Sequence, residues 1–289
     1  AIIFIIVKSG FLSWVVKRAK KLSKQVWVAA AVLCGALIFG FYVTHPYPLH
    51  FAMPPMMHSH APGNLPPSIP VPSAFKFLFQ TNSFEKVDDI GADPNNVPAP
   101  IDRQNPEMVN IDLVAKEVVG EVAGGIEFNY WTYNGQAPGP MLRVREGDDV
   151  TISLTNDKSS LHEHNIDLHA VTGPGGGASV TKVKPGETKK FQWKALNPGL
   201  YIYHCATANV STHNSHGQYG LIMVDPKEGL PKVDKEFYVV QGELYTEGGL
   251  GKKGLALFDP QALLDGIPTY VTFNGKIETA PRMKAKVGD

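Results

Sequence analysis

From residue 108 to 226 the chain is written in short runs in which apolar and polar positions alternate. The runs are IDLVAKEVV, MLRVREGDDVTISLTN, KKFQWKA, GLYIYHC and YGLIMVD, separated by Gly, Pro and Asn. Alternation with a period of two marks a strand with one buried face, and short strands between turn residues predict an all-β sandwich. PKEGLPKVD then reads as a hinge, after which EFYVVQGELY opens a second β region. The pattern divides this part of the chain into a first domain at 101–226 and the start of a second at 235–289.

The second region repeats the first in part. Tyr133-Asn134-Gly135 leads through Met141 and Arg145 to Gly147-Asp148, and Phe273-Asn274-Gly275 leads through Met283 and Lys286 to Gly288-Asp289 at similar spacing. The second region is therefore read as a copy of the first domain's opening strands. The first copy continues into a histidine-rich loop, whereas the second stops at the Gly-Asp pair, so the second domain is expected to be cut short.

Ahead of the β regions the pattern changes twice. Residues 26–43 (VWVAAAVLCGALIFGFYV) are uncharged and largely apolar, about the length that crosses a bilayer core. The basic segment 1–25 before them carries Lys17, Arg18, Lys20, Lys21 and Lys24. The positive-inside rule keeps that end cytoplasmic and exports the chain beyond Val43. These features predict an N-terminal transmembrane helix tethering a periplasmic domain to the inner membrane. A cleaved signal segment is the competing reading, but the run is long for one and no small-residue cleavage site comes promptly after it. Residues 44–100 are proline-rich and aperiodic, as in an extended linker. Within it His45, His50, Met53, Met56, Met57, His58 and His60 gather side chains of the kind that bind copper, although the same composition suits a polar stalk.

Composition narrows the chemistry. Lys+Arg and Asp+Glu are 27 each, so no basic excess points to nucleic acid. The 28 Gly and 23 Pro residues suit a turn-rich β protein rather than a helical one. The two cysteines, Cys34 in the apolar run and Cys205 beside a histidine, are not expected to pair.

An exported thiol with no disulfide partner, set among histidines, points to metal. In HEHNIDLHA (162–170) and YHCATANVSTHNSH (203–216), His164, Cys205 and His213 supply the two imidazoles and one thiolate of a trigonal blue-copper site. The weak axial ligand of such a site falls a few residues after the loop histidine, where Gln218 stands; Met223, further on, is expected to pack in the core. His204 adjoins Cys205, and on an extended strand the two side chains point apart. His164 and His169 are likewise expected on opposite faces. His169 and His204 would then hold two ligand positions of a second, outer copper, with the His-Cys peptide unit as a short covalent route between the metals. Asp167 can hold an oxyanion or relay a proton at that outer site, or fix a ligand imidazole. His162 and His216 are read as solvent-exposed or supporting residues, and PGGG (174–177) as a flexible loop with no claim to phosphate.

The segments YWTYNGQAPGPMLRVREGD, HNIDLHAVTG, GLYIYHCATANVSTH, YGLIMVDPKEGLP and FYVVQGELYT resemble the copper-containing, nitric-oxide-forming nitrite reductases. That resemblance implies a cupredoxin-like Greek-key β-sandwich followed by a second cupredoxin domain, assembled as a homotrimer active in denitrification. It implies type 1 copper on His164, Cys205 and His213, with Gln218 at the family's axial methionine position. Type 2 copper would lie on His169 and His204 at a subunit interface. Electrons from a small periplasmic donor, a cupredoxin or a cytochrome c, would pass through Cys205-His204, and Asp167 would orient nitrite and deliver a proton. The family's third type 2 histidine and its catalytic histidine fall beyond Asp289, so the 289-residue chain alone is expected to turn over little nitrite. Two other readings compete. A multicopper oxidase would account for His162-x-His164, but it needs further histidine pairs, including His-Cys-His, and Cys205 is followed by Ala206. A membrane-tethered type 1 copper electron-transfer protein would need only the inner site.

Overall fold

One strand is too long for a single partner, and it organises the rest. In the computed structural model, which describes residues 24–44, 84–208, 210–277 and 283–288 (without side chains at 38–44 and 174), β2 runs Met108–Ala123. Its first half lies parallel to β5 (Asp149–Asn156), from Met108 opposite Asp149 to Ala115 opposite Asn156. Its second half lies antiparallel to β3 (Ile126–Tyr133), and Ala115, opposite Tyr133, belongs to both pairings. Burial follows the change of surroundings. The first half alternates, with one face toward solvent, whereas Val118, Val119, Gly120, Val122 and Ala123 are buried almost without a break.

The first sheet runs β11-β3-β2-β5-β7, with β1 (Glu85–Val87) beside β2, β7 at Thr188–Lys194 and β11 at Gly254–Ala256. The second runs β4-β9-β8-β6: Leu142–Arg145, Tyr219–Asp225, Gly199–His204 and Asp167–Leu168. Every step from β3 to β8 crosses between the sheets, and β9 then stays beside β8 in the second. Between them lies a core of Leu113, Tyr133, Val144, Val150, Ile152, Leu154, Ile166, Leu168, Tyr203, Ile222 and Val224. The all-β sandwich expected from the alternation is the fold observed. Met223 departs from expectation: on β9 the inward positions are Ile222 and Val224, which leaves Met223 half-buried on the other face.

The second β region packs against the first through its own core, in which Val118, Phe128 and Tyr130 meet Leu244, Phe258 and Tyr270. β10 (Gln241–Leu244) pairs with β12 (Tyr270–Phe273), and β11 joins β3 in parallel. Arg143 clamps the hinge: its guanidinium binds Asp225 on β9 (2.9 Å) and Glu236 beyond the hinge (2.6 Å). The internal repeat is visible in the backbone. Asn134 and Asn274 both take positive φ, at 57° and 50°, and the following Gly135 and Gly275 take 75° and 81°, a turn that disfavours any residue with a Cβ at the glycine. Each asparagine clasps an earlier strand in the same way. The Oδ1 of Asn134 accepts from the N–H of Val114 and that of Asn274 from Val240, while each asparagine N–H donates back to the carbonyl of the same valine.

The chain divides into two units, Ala1–His45 and Pro46–Asp289. The expected membrane segment is indeed helical, over Lys24–Thr44. The anchor itself is not borne out, because no helix among the described residues is long and apolar enough to cross a membrane. The basic residues Lys17 to Lys21 and the Met/His-rich stretch 45–60 lie outside the described residues.

Asp148 fixes the corner where β2 and β5 begin. It is fully buried, its carboxylate accepts the N–H groups of Arg145 (2.8 Å) and Glu107 (3.0 Å), and it pairs with Arg103. Burial alone would raise its pKa, but Arg103 and the two N–H donors outweigh that and hold it below the usual carboxylate range. A carboxyl lowered in the folded state stabilises fully above its unfolded value, about 3.9, and that stability is lost as pH falls through the folded value. Asp148→Asn is therefore expected to cost about 2 kcal/mol at pH 7, with the two urea midpoints converging as pH falls below about 4. A gap that stayed constant down to low pH would refute the charge-dependent role.

Candidate metal centres

Strand β8 ends on His204, and Cys205 continues its direction, its N–H donating to the carbonyl of Gln218 (3.1 Å). Neighbours on an extended chain point to opposite sides. Cys205 has no exposed surface, while His204 is half-buried and turned outward. The segment from 162 to 170 divides likewise. His164, held by paired backbone hydrogen bonds to Val183, is wholly buried, whereas His169 is exposed. β6 sets Asp167 opposite His204, and the N–H of His169 donates to Ile202 on β8 (3.1 Å), which brings Asp167, His169 and His204 together.

Two groups of metal-ligand type result, each with one atom per residue lying within 4.8 Å of the others. The inner group is His164, Cys205 and His213, all buried; the outer is Asp167, His169 and His204. His213 comes from the short helix Val210–Ser215, and its ring meets that of His164 edge to face with centroids 5.3 Å apart. In the outer group the Nε2 atoms of His169 and His204 converge to 3.1 Å.

The donor chemistry of the inner group fits copper, which takes two imidazoles and one thiolate in a trigonal arrangement. Neither buried ring nitrogen of His164 makes a hydrogen bond, although Nε2 lies 3.4 Å from Oε1 of Glu117, so Nδ1 is without a partner of any kind. Burial pushes the Cys205 thiol up, but His213 and His164 outweigh it and hold the thiol well below its ordinary value, favouring the thiolate a metal requires. Burial would likewise depress His164, yet Cys205 and Glu117 raise it to about 9. Gln218 is fully buried with its Oε1 3.1 Å from Nδ1 of His213, so its amide borders the inner group.

Asn165 ties this group together. Its backbone N–H donates to Sγ of Cys205 (3.4 Å), its Oδ1 accepts the N–H of Ala206 (2.6 Å), and its Nδ2 donates to the carbonyl of Ala178 (3.1 Å). The PGGG turn, expected to be a free loop, is packed instead: a Cβ on Gly176 would lie 2.0 Å from Oδ1 of Asp167. His162 and His216 are not solvent-exposed. They flank Trp131 at ring-centroid distances of 4.3 Å each, and burial lowers His216 to about 3, which keeps it neutral. Glu117 is a site residue that sequence reasoning misses. It sits opposite Trp131 in the β2–β3 register, fully buried, with an oxygen 3.0 Å from Nδ1 of His162 and 3.4 Å from Nε2 of His164. No local motif marks it, because only strand register brings it to the site.

The multicopper oxidase family profile matches residues 115–229. A copper-containing nitrite reductase of Neisseria meningitidis is 48% identical over 206 residues, covering 70% of this chain and 53% of that protein. The one from Alcaligenes faecalis is 36% identical over 190 residues, covering 60% and 50%. Among solved structures, the Cu-containing nitrite reductase of Thermus scotoductus superposes with a TM-score of 0.50 at 32% identity, covering 58% of this chain and 38% of that one. Sandwich, buried thiol and imidazole pair thus define a copper protein of cupredoxin-like fold. Within that class its relatives by sequence are copper-containing nitrite reductases. It spans about half the length of the curated relatives it matches.

Asn165→Ala strands the buried N–H of Ala206 and removes the tie to Ala178. It is expected to lower stability by about 2–3 kcal/mol, read as a lower urea midpoint at unchanged m-value. An unchanged midpoint would show that the tie carries no weight.

Proposed function

We propose that this chain provides the electron-accepting copper site, and part of the catalytic copper site, of an enzyme that reduces nitrite to nitric oxide. The observation that carries this reading is the placement of two ligand groups back to back on adjacent residues, one buried through Cys205 and one open to solvent through His204. In the reading, His164, Cys205 and His213 hold type 1 copper with Gln218 as axial ligand, and His169 and His204 hold type 2 copper. Copper at these sites supplies one-electron transfer and, at the outer site, a Lewis acid for a bound oxyanion. The overall change is nitrite plus one electron and two protons giving nitric oxide and water.

The chain's own residues divide the remaining work. The peptide unit joining Cys205 to His204 is the direct covalent connection between the two groups. Asp167, packed against Gly176 and opposite His204, is placed to hold the substrate oxygen and to give up a proton. Leu200 and Ile202, alternating with His204 along β8 and 53% and 37% exposed, form an apolar stripe beside the outer group. A neighbouring subunit of a homotrimer would cover it and complete the ligand set. The electron donor is read as a small periplasmic cupredoxin or cytochrome c, in keeping with the expected export of the chain. The multicopper oxidase profile matches part of the chain, but that alternative is not favoured: the curated relatives named above are nitrite reductases, and the described residues gather into these two ligand groups.

The test is copper content together with nitric oxide release on adding nitrite and a reduced donor, using the protein as the cell makes it. Cys205→Ala is expected to remove one copper per chain and the intense visible thiolate band. Asp167→Ala is expected to keep the copper and slow nitric oxide formation about a hundredfold. Copper-loaded protein that released no nitric oxide from nitrite would overturn the reading.

The axial assignment has its own consequence. An amide oxygen is a harder donor than a thioether and favours Cu(II), so Gln218→Met is expected to raise the reduction potential of the inner site. An unchanged potential would remove Gln218 from the ligand set.

A further inference from the structure

We propose that Glu117 is a positioning residue for the inner copper, orienting His164 through its Nε2–H and favouring the oxidised metal with a fixed negative charge. The proposal rests on the reading that His164, Cys205 and His213 hold copper. A carboxylate with no exposed surface is costly unless it is paired, and the side chains that face Glu117 within ion-pair distance are the imidazoles of His162 and His164. No lysine or arginine is among them.

The geometry gives this carboxylate two tasks. Its Oε1 accepts the backbone N–H groups of Leu161 and His162, each at 2.8 Å, and lies 3.0 Å from Nδ1 of His162. It therefore fastens the segment that leads into His164. Nε2 of His164 lies 3.4 Å from the same oxygen, and the other oxygen, Oε2, has no hydrogen-bond partner, so the carboxylate has acceptor capacity left over. With Nε2 turned to the carboxylate, Nδ1 is the atom left for a metal. A carboxylate behind a ligand imidazole fixes its tautomer and makes it a stronger donor.

Charge gives the second effect its sign. Cu(II) with the Cys205 thiolate carries a net single positive charge, which Glu117 cancels inside a buried site. Reduction to Cu(I) leaves the site with an uncompensated negative charge. Glu117 therefore acts against reduction, in the same direction as the amide of Gln218.

The test loads the full chain with copper and measures the ratio of reduced to oxidised inner copper in a fixed redox buffer. Glu117→Gln keeps the shape and removes the charge. It is expected to retain the visible thiolate band and to raise that ratio on the order of tenfold, the scale of one nearby charge at a protein's effective dielectric. Glu117→Asp, which keeps the charge, is expected to stay within about threefold of the parent, since the charge remains on the same side of the ring. A Glu117→Gln protein with its band intact and an unchanged ratio would overturn the proposal. A second measurement needs no variant: nitrogen NMR of the Cu(I)-loaded parent is expected to show His164 protonated at Nε2, and protonation at Nδ1 instead would equally overturn it. Absence of the thiolate band from the parent would overturn the ligand assignment beneath it, an outcome distinct from both.

Discussion

Everything at the two ligand groups depends on the opposite orientation of adjacent side chains along an extended backbone. At the end of β8 that rule separates His204 from Cys205 by one peptide unit and yet assigns one to the surface and the other to the core. No helix could do this, since its neighbours diverge by about 100° rather than facing opposite sides. The sandwich then serves to make the inner side dry. Two packed sheets exclude water around Cys205, and the short β6 strand lays Asp167 and His169 against the outer side.

A dry site raises the stakes of every charge inside it. Cys205, Glu117 and the imidazoles between them are all buried, and none would be tolerable alone. They are tolerable together because thiolate and carboxylate both face His164, with His213 beside the thiolate and His162 beside the carboxylate. Asn165 and Gly176 belong to this arrangement although neither has a chemical role: one ties the Cys205 segment to the His164 segment, and the other leaves room for Asp167 by having no side chain.

How much the chain alone reveals depends on how local each signal is. The strands are legible because alternation is written residue by residue, and the ligand candidates because His164, Asp167 and His169 lie in one short stretch and His204, Cys205 and His213 in another. Glu117 is not legible: it reaches the site only through the register of β2 against β3, which no local pattern reveals. Met223 is misplaced by sequence because a strand's inward face depends on its starting phase, and on β9 that phase favours Ile222 and Val224. His162 and His216 look like surplus histidines. Their partner is an aromatic ring, Trp131, that no histidine spacing predicts. Of the apolar run at 26–43, the helix is legible in the sequence, whereas no helix among the described residues is long and apolar enough to cross a membrane.

The repeated Asn-Gly turn bears on how the protein ages. In an Asn-Gly pair the glycine nitrogen meets little steric hindrance in attacking the asparagine side-chain carbonyl, the route by which asparagine slowly loses its amide. Asn274 is buried and holds both side-chain atoms in hydrogen bonds, its Nδ2 donating to the carbonyls of Ala92 and Tyr238 and its Oδ1 accepting from Val240. Asn134 is exposed, and its Oδ1 accepts from Val114. The two copies of one turn therefore run at different speeds as chemical clocks. The faster one, at Asn134, sits where β3 hands the chain to β4, within the β region that carries the metal ligands.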